Sequence, residues 1–381
     1  MSFRELLSYD RFAVYHLGKE LLRTPLTAAN RWQLATRRIG AIGYIGWAGH
    51  SNLGDEAMFD EIVESFSDFK IVPLLPEPGE RLISRLGVGP GVFDAVLLGG
   101  GTLINCDFIA VARLVQEQQV PLYSLGTGVG SCGFNRPENS CCLDLWEDIF
   151  RTSSLVSVRG PLSQGMLEHA GVRKIQVIGD PALKAAPDHP PVFRTRRRLV
   201  INLAQESGTP YGSGQFQVFR SIAEIAADFL NNGGEVVGVA LGDRDRAVLE
   251  NFRTENNLTM GIEDHRHSVQ GFFDTVMGSL ALIGVRLHSA VLASCVGVPS
   301  MLFVYRLKCR DFMSSMDLDD FALPLSADTS PQLLRSRFER ILSEPDLGER
   351  IYRKAISWKH KQEAYYEEVR AEIETVSART H

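Results

Sequence analysis

Two basic side chains lie close together in the segment VRLHSAVLASCVGVP, residues 285–299. Arg286 and His288 follow the apolar run LALIGV and precede a run with helical spacing, so we expect them where a strand ends and a helix begins. Alternate residues of an extended chain point the same way, which directs both side chains to one place. Two cations at a helix N-terminus are unfavourable unless an anion lies between them. The pattern therefore predicts an anion site that contains a titratable imidazole.

Two further cationic side chains follow predicted strands. Arg159 ends the run SLVSVRG in the first half of the chain, and Lys308 comes shortly after SMLFVY in the second half. Because the carboxyl ends of parallel strands meet at one edge of a sheet, these side chains are expected near the same cleft. Such a set of cations predicts a small ligand with several negative charges.

Glycine-rich turns follow three predicted strands of the first half, in GYIGWAGHSNLGDEA, LLGGGTLI and SLGTGVG. Glycine lets backbone N–H groups approach a ligand, so we assign Gly100, Gly101 and Gly128 to the backbone of the predicted cleft. The spacing departs from the GxGxxG dinucleotide fingerprint, and the sequence contains no GxxxxGK[ST] loop. Tight packing of strands on helices, with no ligand, is the alternative explanation.

Short apolar runs alternate with helical spacing from residue 39 onward. Strands are predicted at 39–46, 70–75, 93–101, 120–130, 154–160, 174–183, 199–204, 235–241, 280–285 and 300–305. This alternation predicts an α/β fold with two Rossmann-like, doubly wound domains that face a cleft.

The predicted organisation has four parts. They are an N-terminal helical segment over 1–38, a Rossmann-like domain over 39–190, a second one over 191–330, and C-terminal helices over 331–381. The segment PALKAAPDHPPVFRTRRR, residues 181–198, has the composition of a linker between the two domains.

The composition excludes several classes of protein. A formal net charge of −6 gives no basic field for nucleic acid, and no apolar run approaches the roughly 18–20 residues of a membrane span. The six cysteines lack CxxC and His/Cys spacings, so we expect reduced, buried thiols and no metal site.

The N-terminal segment, residues 1–38, shows no signal-peptide pattern, which predicts a cytoplasmic protein. Its basic residues around Trp32 suit a helix that lies on the inner face of an anionic membrane. Pro25 interrupts the apolar positions and favours a helix that packs on the domain or forms a subunit contact in a homo-oligomer. Both interpretations stay open.

Six segments in a fixed order resemble the polysaccharide pyruvyltransferase family. They are GHSNLGDEAMF (49–59), LLGGGTLI (97–104), GTGVG (126–130), SVRGPLS (157–163), VIGDPAL (177–183) and VRLHSAVLASCVGVP (285–299) with Lys308. The resemblance implies a fold similar to the GT-B glycosyltransferases, with phosphoenolpyruvate as a co-substrate and neither metal nor cofactor. It implies an enzyme that forms a pyruvate ketal on two hydroxyls of a saccharide, or of a lipid-linked oligosaccharide, in cell-envelope or exopolysaccharide biosynthesis.

The resemblance also implies roles for individual residues. His288 would be the general acid and base. The phosphate and carboxylate of the donor would be bound by Arg159, Arg286, Leu287 and Lys308, and the acceptor by Tyr44, Trp47, Asn52 and Asp55. The chemistry of phosphoenolpyruvate agrees with a histidine as the general acid. The molecule becomes electrophilic when its methylene carbon takes up a proton, and an imidazole can deliver that proton near neutral pH.

Some features of the sequence stay outside this assignment. Where many relatives carry a basic residue, the segment LAQESG offers Gln205 and Glu206, and their role is open. We expect the acids of 243–245 and 317–320 to be solvated or to cap helices. The alternative functions are a GT-B glycosyltransferase that uses a sugar nucleotide, and a non-catalytic saccharide-binding or assembly subunit.

Overall fold

The computed structural model describes residues 41–48, 52–74, 93–130, 142–205 and 214–380, with side chains up to residue 376. The predicted N-terminal segment, residues 1–38, lies outside these ranges, and with it the proposed membrane or subunit contact. Glu206 lies outside them as well.

The first half of the chain folds into parallel strands flanked by helices. Its elements are β1 (Ala41–Ile45), α1 (Leu53–Ser65), β2 (Lys70–Leu74), β3 (Ala95–Leu98), α2 (Ile109–Glu117), β4 (Leu122–Ser124), α3 (Leu143–Phe150), β5 (Val156–Val158), α4 (Pro161–His169) and β6 (Ile175–Val177). Four strands form a sheet in the order β2-β1-β3-β4, and β5 pairs with β6. The pair continues from the β4 edge, because Thr127 bridges Val158 in parallel. Every residue of β1 and β3 is buried, as expected for strands covered on both faces.

The second half folds into a six-stranded parallel sheet. Its elements are β7 (Arg196–Asn202), α5 (Gln215–Asn231), β8 (Glu235–Ala240), α6 (Asp245–Glu255), β9 (Gly261–Asp264), α7 (Val269–Val276), β10 (Ser279–Gly284), α8 (Leu287–Cys295), β11 (Ser300–Val304), α9 (Leu307–Ser315), β12 (Ala322–Pro324) and α10 (Pro331–Ser343). The strand order β12-β11-β10-β7-β8-β9 is that of the Rossmann fold, with its topological switch point between β7 and β10. The predicted α/β class with two Rossmann-like sheets is confirmed.

The prediction of a linker over residues 181–198 is wrong for its first residues. Residues Pro181–Ala185 form a short 3-10 turn whose Pro181, Ala182 and Leu183 are buried. The turn packs against α1, against α8 and against the C-terminal helix, so it lies at the centre of the molecule. Proline suits the first position of such a turn, and small apolar side chains let three helices approach it. Proline-rich composition therefore did not distinguish a buried turn from a solvated linker.

The C-terminal helix α11 (Leu347–Thr380) runs across both halves. Trp358 donates to the carbonyl of Ser315 in the second half, at 3.0 Å. Further along, Tyr365 donates its hydroxyl to the carbonyl of Ser124 in the first half, at 3.1 Å. This helix therefore helps to fix the relative position of the two sheets. No helix in the described part of the chain has both the length and the apolar composition for a membrane crossing.

The first turn of α1 joins the halves from the other side. The N–H of Leu53 donates to the carbonyl of Leu241, which follows β8, at 3.0 Å. Leu53, Ala57 and Met58 belong to the apolar core of the second half, although α1 belongs to the first. The first turn of α1 is thus inserted between the two sheets, where the sequence predicted a cleft.

Candidate active site

His288 lies in the first turn of α8, beyond the switch point of the second sheet. Arg286 is the N-cap residue of α8, and its backbone N–H donates to Oδ1 of Asn202 at the end of β7, at 2.9 Å. This bond joins the two strands that flank the switch point and fixes the start of the helix. The imidazole of His288 is 10% exposed and lies against the backbone of Gly54 in α1, which belongs to the other half.

A fully buried ion pair lies behind the imidazole. The Arg159 guanidinium, at the end of β5, places Nε 2.8 Å from Oδ2 of Asp180, and both side chains are 0% exposed. Its Nη2 donates to the carbonyl of Gly101 at 2.5 Å. The same Oδ2 of Asp180 is 3.7 Å from Nε2 of His288. Arg159, Asp180 and His288 therefore form one array, contributed by both halves.

Two polar atoms of this array are buried without a hydrogen-bond partner in the structure, namely Nε2 of His288 and Nη1 of Arg159. Native proteins rarely leave such groups unsatisfied outside sites that bind something. A Cβ on Gly128 would lie 3.3 Å from Oγ of Ser163 and 3.8 Å from Nη1 of Arg159, so Gly128 packs beside the guanidinium. The arrangement suits an anion that is held by buried donors.

Arg286 pairs with the carboxylate of Asp245, for which the sequence predicted a solvated or helix-capping position. Its Nε lies 2.9 Å from Oδ1 and 2.6 Å from Oδ2 of Asp245, which is fully buried. The N–H groups of Leu241 and Gly242 donate to Oδ2 of Asp245, each at 3.0 Å. The expectation of a solvated or capping acid at 245 is therefore wrong, because the turn after β8 folds its own acid inward. The expectation holds for Asp317 and Asp320, which are exposed and pair with Lys354 and Arg340.

Lys308 lies in the first turn of α9, after β11 and next to α8. Its side chain is partly buried, and its Nζ lies 5.3 Å from the ring centroid of Tyr305. Burial lowers the pKa of Lys308 from its usual value, against the charge of Asp55.

The electrostatics of His288 reflect this concentration of cations. Burial lowers the pKa of His288 to about 4, and the charges of Arg159, Lys308 and Arg286 act in the same direction while Asp180 opposes them. The imidazole is therefore neutral at neutral pH, and an anion bound among these cations would favour its protonated form. The structure thus brings together Arg159, Arg286, His288 and Lys308, as the sequence predicted.

Asp55 faces this cationic group from the first turn of α1. Burial raises the pKa of Asp55 to about 7, with Glu56 and Asp180 acting in the same direction and with Lys308 and Arg286 opposing. The sequence analysis assigned Asp55 to an acceptor surface of the first half. The structure places it opposite the cations of the second half, so it borders the same cleft as His288.

The other residues assigned to the acceptor lie differently. Tyr44 is 1% exposed and packs on Phe59 with ring centroids 4.9 Å apart, so its ring belongs to the core. Asn52 is the N-cap of α1 and accepts from the N–H of Gly54 at 3.2 Å. Only Trp47 presents a substantial surface, at 40% exposure. The sequence pattern could not predict which of these side chains would be buried, because residues close together in sequence differ in burial here.

The predicted cleft backbone is packed against protein groups. A Cβ on Gly100 would lie 2.2 Å from Sδ of Met58, and Gly101 has φ +106°, where other residues are strained. Leu287, assigned to the donor, is 2% exposed, and its side chain belongs to the core of the second half. Tight packing therefore accounts for Gly100, whereas Gly128 lies against Arg159.

Three residues of the candidate site were not assigned to it from the sequence: Gly54, Asp180 and Asp245. Asp180 and Asp245 each lie a few residues after an apolar run, but only the fold shows which cation each acid faces. Gly54 lies in the first turn of α1, and only the fold shows that it contacts His288.

In the described part of the chain, no group of three His, Cys, Asp or Glu residues is arranged to hold a metal ion. The expectation of reduced, buried cysteines holds for Cys295 and Cys309. It is wrong for Cys106, which is exposed and disulfide-bonded, and Cys142 is only partly buried.

Solved structures similar to this one show the fold. UDP-N-acetylglucosamine 2-epimerase of Neisseria meningitidis, bound to UDP-GlcNAc, has a TM-score of 0.58 at 11% identity over 87% of this chain and 99% of that chain. The Anabaena protein Alr3699/HepE, in complex with UDP and glucose, has a TM-score of 0.54 at 12% identity over 88% and 100%. The 2-epimerase of Rickettsia bellii has 0.53 at 11% over 89% and 98%. These epimerases have the GT-B fold, so the predicted architecture is confirmed.

Comparison with curated proteins gives no match. A model of the family described as polysaccharide pyruvyl transferase matches residues 52–306, which is more than half of the 381 residues. The matched range includes Asp55, Arg159, Asp180 and His288, and it ends just before Lys308. This chain is a member of the polysaccharide pyruvyl transferase family.

Proposed function

We propose that this protein transfers the enolpyruvyl group of phosphoenolpyruvate to two hydroxyls of a saccharide and forms a pyruvate ketal, in cell-envelope or exopolysaccharide biosynthesis. The observation that carries the proposal is the imidazole of His288, enclosed by the cations Arg159, Arg286 and Lys308. Phosphoenolpyruvate has a phosphate and a carboxylate on one small carbon frame, and its charges match these cations.

Binding of phosphoenolpyruvate would favour the protonated form of His288, which is the general acid of the proposed reaction. In the free protein the pKa of His288 is about 4, so the imidazole is neutral. A trianion placed among the cations raises the proton affinity of the ring. The imidazolium then protonates the methylene carbon, and positive charge develops at the neighbouring carbon that bears the phosphate.

The remaining steps balance without a further reactant. A hydroxyl of the saccharide adds to the cationic carbon, and its proton returns to the imidazole. Phosphate then leaves, with Arg159, Arg286 and Lys308 stabilising its charge. The second hydroxyl adds to the same carbon and its proton leaves with the phosphate, which gives the ketal and hydrogen phosphate.

The acceptor would enter from the side of the first half. Asp55 borders the cleft there, and Trp47 offers a partly exposed ring, a surface on which sugars commonly stack. A lipid-linked oligosaccharide remains within this proposal, because it presents the same pair of hydroxyls.

Phosphate release from phosphoenolpyruvate, measured with and without saccharide acceptors, tests the proposal. We expect acceptor-dependent release, a product heavier by one pyruvate less one water, and loss of both in His288→Gln. His265→Gln is the matched control, because His265 is also buried in the second half but bonds Thr275 away from the cleft. Full activity of a folded His288→Gln, or no release with any acceptor, contradicts the proposal.

A glycosyltransferase that uses a sugar nucleotide is the second candidate. It is favoured by the fold similarity to proteins solved with UDP or UDP-GlcNAc. Thermal unfolding separates the two: phosphoenolpyruvate should raise the Tm under the first proposal, and UDP- or GDP-sugars alone should raise it under the second.

A further inference from the structure

Asp180 occupies a fixed position between the two halves. Its Oδ1 accepts from the N–H of Ala182 at 3.1 Å, and its carbonyl accepts from the side chain of Gln362 in α11 at 2.8 Å. These two bonds hold its backbone and Oδ1, and Oδ2 pairs with Arg159. The carboxylate is fully buried, so it cannot turn to solvent.

Oδ2 of Asp180 lies between Arg159 and His288. Oδ2 is 2.8 Å from Nε of Arg159 and 3.7 Å from Nε2 of His288. Nε2 has no other partner in the structure and is shielded from solvent. A proton on Nε2 is therefore attracted by Asp180, whereas an unprotonated Nε2 would turn its lone pair toward a carboxylate.

We propose that Asp180 is a positioning residue for His288, which keeps the proton of the neutral imidazole on Nε2 and leaves Nδ1 to exchange the proton with the substrate. The role in catalysis rests on the proposed function. Nδ1 lies beside Gly54 in the first turn of α1, next to Asp55, which borders the cleft.

The surrounding charges explain why a carboxylate is needed here. Arg159, Arg286 and Lys308 all disfavour a proton on His288, whereas Asp180 favours it. From α1, Asp55 interacts with Lys308 and Arg286, and Glu56 acts on Asp55, whose pKa is raised mainly by burial. Asp180 therefore offsets Arg159 and lets the ring carry a second proton when the donor is bound.

The two ring nitrogens of His288 have different roles in this mechanism: Nδ1 exchanges protons with the substrates, and Nε2 keeps its proton. In the imidazolium both nitrogens carry a proton, and Nδ1 gives its proton to the methylene carbon of the donor. The ring is then neutral with its proton on Nε2 beside Asp180. Nδ1 next takes the proton of the attacking hydroxyl, which restores the imidazolium.

The tautomer can be measured in the wild-type protein at neutral pH, and a variant is needed only to assign the signals. Nitrogen-15 NMR of histidine-labelled protein distinguishes the two tautomers, and the signals of His288 are those that disappear in His288→Gln. We expect a protonated Nε2 and an unprotonated Nδ1. A predominant proton on Nδ1 overturns the proposal.

Two variants test whether the charge of Asp180 determines the tautomer of His288. Asp180→Asn keeps the shape and the acceptor for Ala182 but removes the charge. We expect mixed tautomers at His288 and a kcat lower by about 10²- to 10⁴-fold, without a rise in KM for phosphoenolpyruvate, because the field of Arg159 is no longer offset. A raised KM with an unchanged tautomer would indicate a merely structural role and would overturn the proposal.

Asp311→Asn is the matched control. Asp311 is a buried carboxylate that accepts from the N–H of Leu162 at 2.8 Å and from the hydroxyl of Ser163 at 2.6 Å, at the start of α4. We expect a lower Tm and the wild-type tautomer; a changed tautomer contradicts a specific role of Asp180. Turnover of phosphoenolpyruvate with the proton on Nδ1 overturns this inference alone. The expected tautomer without any turnover supports the placement by Asp180 and overturns the proposed function.

Discussion

Gly54 in the first half and His288 in the second half are in direct contact: a Cβ on Gly54 would lie 1.9 Å from Cγ and from Nδ1 of the imidazole. The first turn of α1 thus covers the ring on one side while Asp180 lies on the other. The position of the imidazole depends on the fit between the halves and not on α8 alone.

Gly54→Ala should displace the imidazole, since the new methyl group cannot coexist with the ring. We expect kcat to fall by about 10²-fold, the size of effect that a misplacement of about 1 Å produces. The measurement is steady-state phosphate release from phosphoenolpyruvate. Gly165→Ala, in the middle of α4 with no atom within 4 Å of the new Cβ, is the control and should stabilise the protein by up to about 1 kcal/mol. Wild-type kcat in Gly54→Ala would contradict the contact.

Asp245→Asn should release Arg286 from its fixed orientation. Asp245 is fully buried and binds Arg286 through both oxygens, so loss of its charge should cost about 1.5–3 kcal/mol of stability and raise KM for phosphoenolpyruvate. Urea unfolding and initial rates give the two quantities. Asp243→Asn removes a nearby acid that is 48% exposed and paired with Arg266, and it should change stability by less than about 0.5 kcal/mol. Equal effects of the two variants would argue against a special role for Asp245.

Binding of phosphoenolpyruvate should be accompanied by proton uptake. The pKa of His288 is about 4 in the free protein, and a bound anion raises it, so the ring takes up a proton from solution at pH 6. Calorimetric titrations in buffers with different ionisation enthalpies measure this uptake, which should approach about one proton per site at most. His288→Gln should take up less. Equal uptake by both proteins would show that another group receives the proton.

Asp55→Asn should become more stabilising as the pH rises. The folded protein raises the pKa of Asp55 from 3.8 to about 7, so folding favours the protonated carboxyl. That contribution is fully present below pH 3.8 and is lost as the pH rises through about 7. Asn resembles the neutral acid at every pH, and the Tm of the variant minus that of the wild type should therefore grow between pH 4 and 7 and then level off. Asp60→Asn, on the exposed face of α1, is the control. A difference that does not depend on pH would refute a buried, uncharged Asp55.

The local pattern of the sequence determined the class of fold and the cations of the site. Apolar runs that alternate with helical spacing predict parallel α/β sheets. Arg159 follows a strand of the first half, and Arg286, His288 and Lys308 follow strands of the second. Short edge strands escaped the prediction, because β9 and β12 are only partly buried and have little apolar pattern.

Only the tertiary structure decided which acids complete the site. Asp180 pairs with Arg159 and Asp245 with Arg286, because the strand order within each half brings these strand ends together. The contact between the halves then adds His288 to Arg159 and Asp180. The structure likewise places Tyr44 in the core and Asp55 at the cleft. The two residues are close in sequence, since Tyr44 lies in β1 and Asp55 in the first turn of α1. A sequence pattern records periodicity within an element, whereas burial and pairing of charges depend on which elements meet.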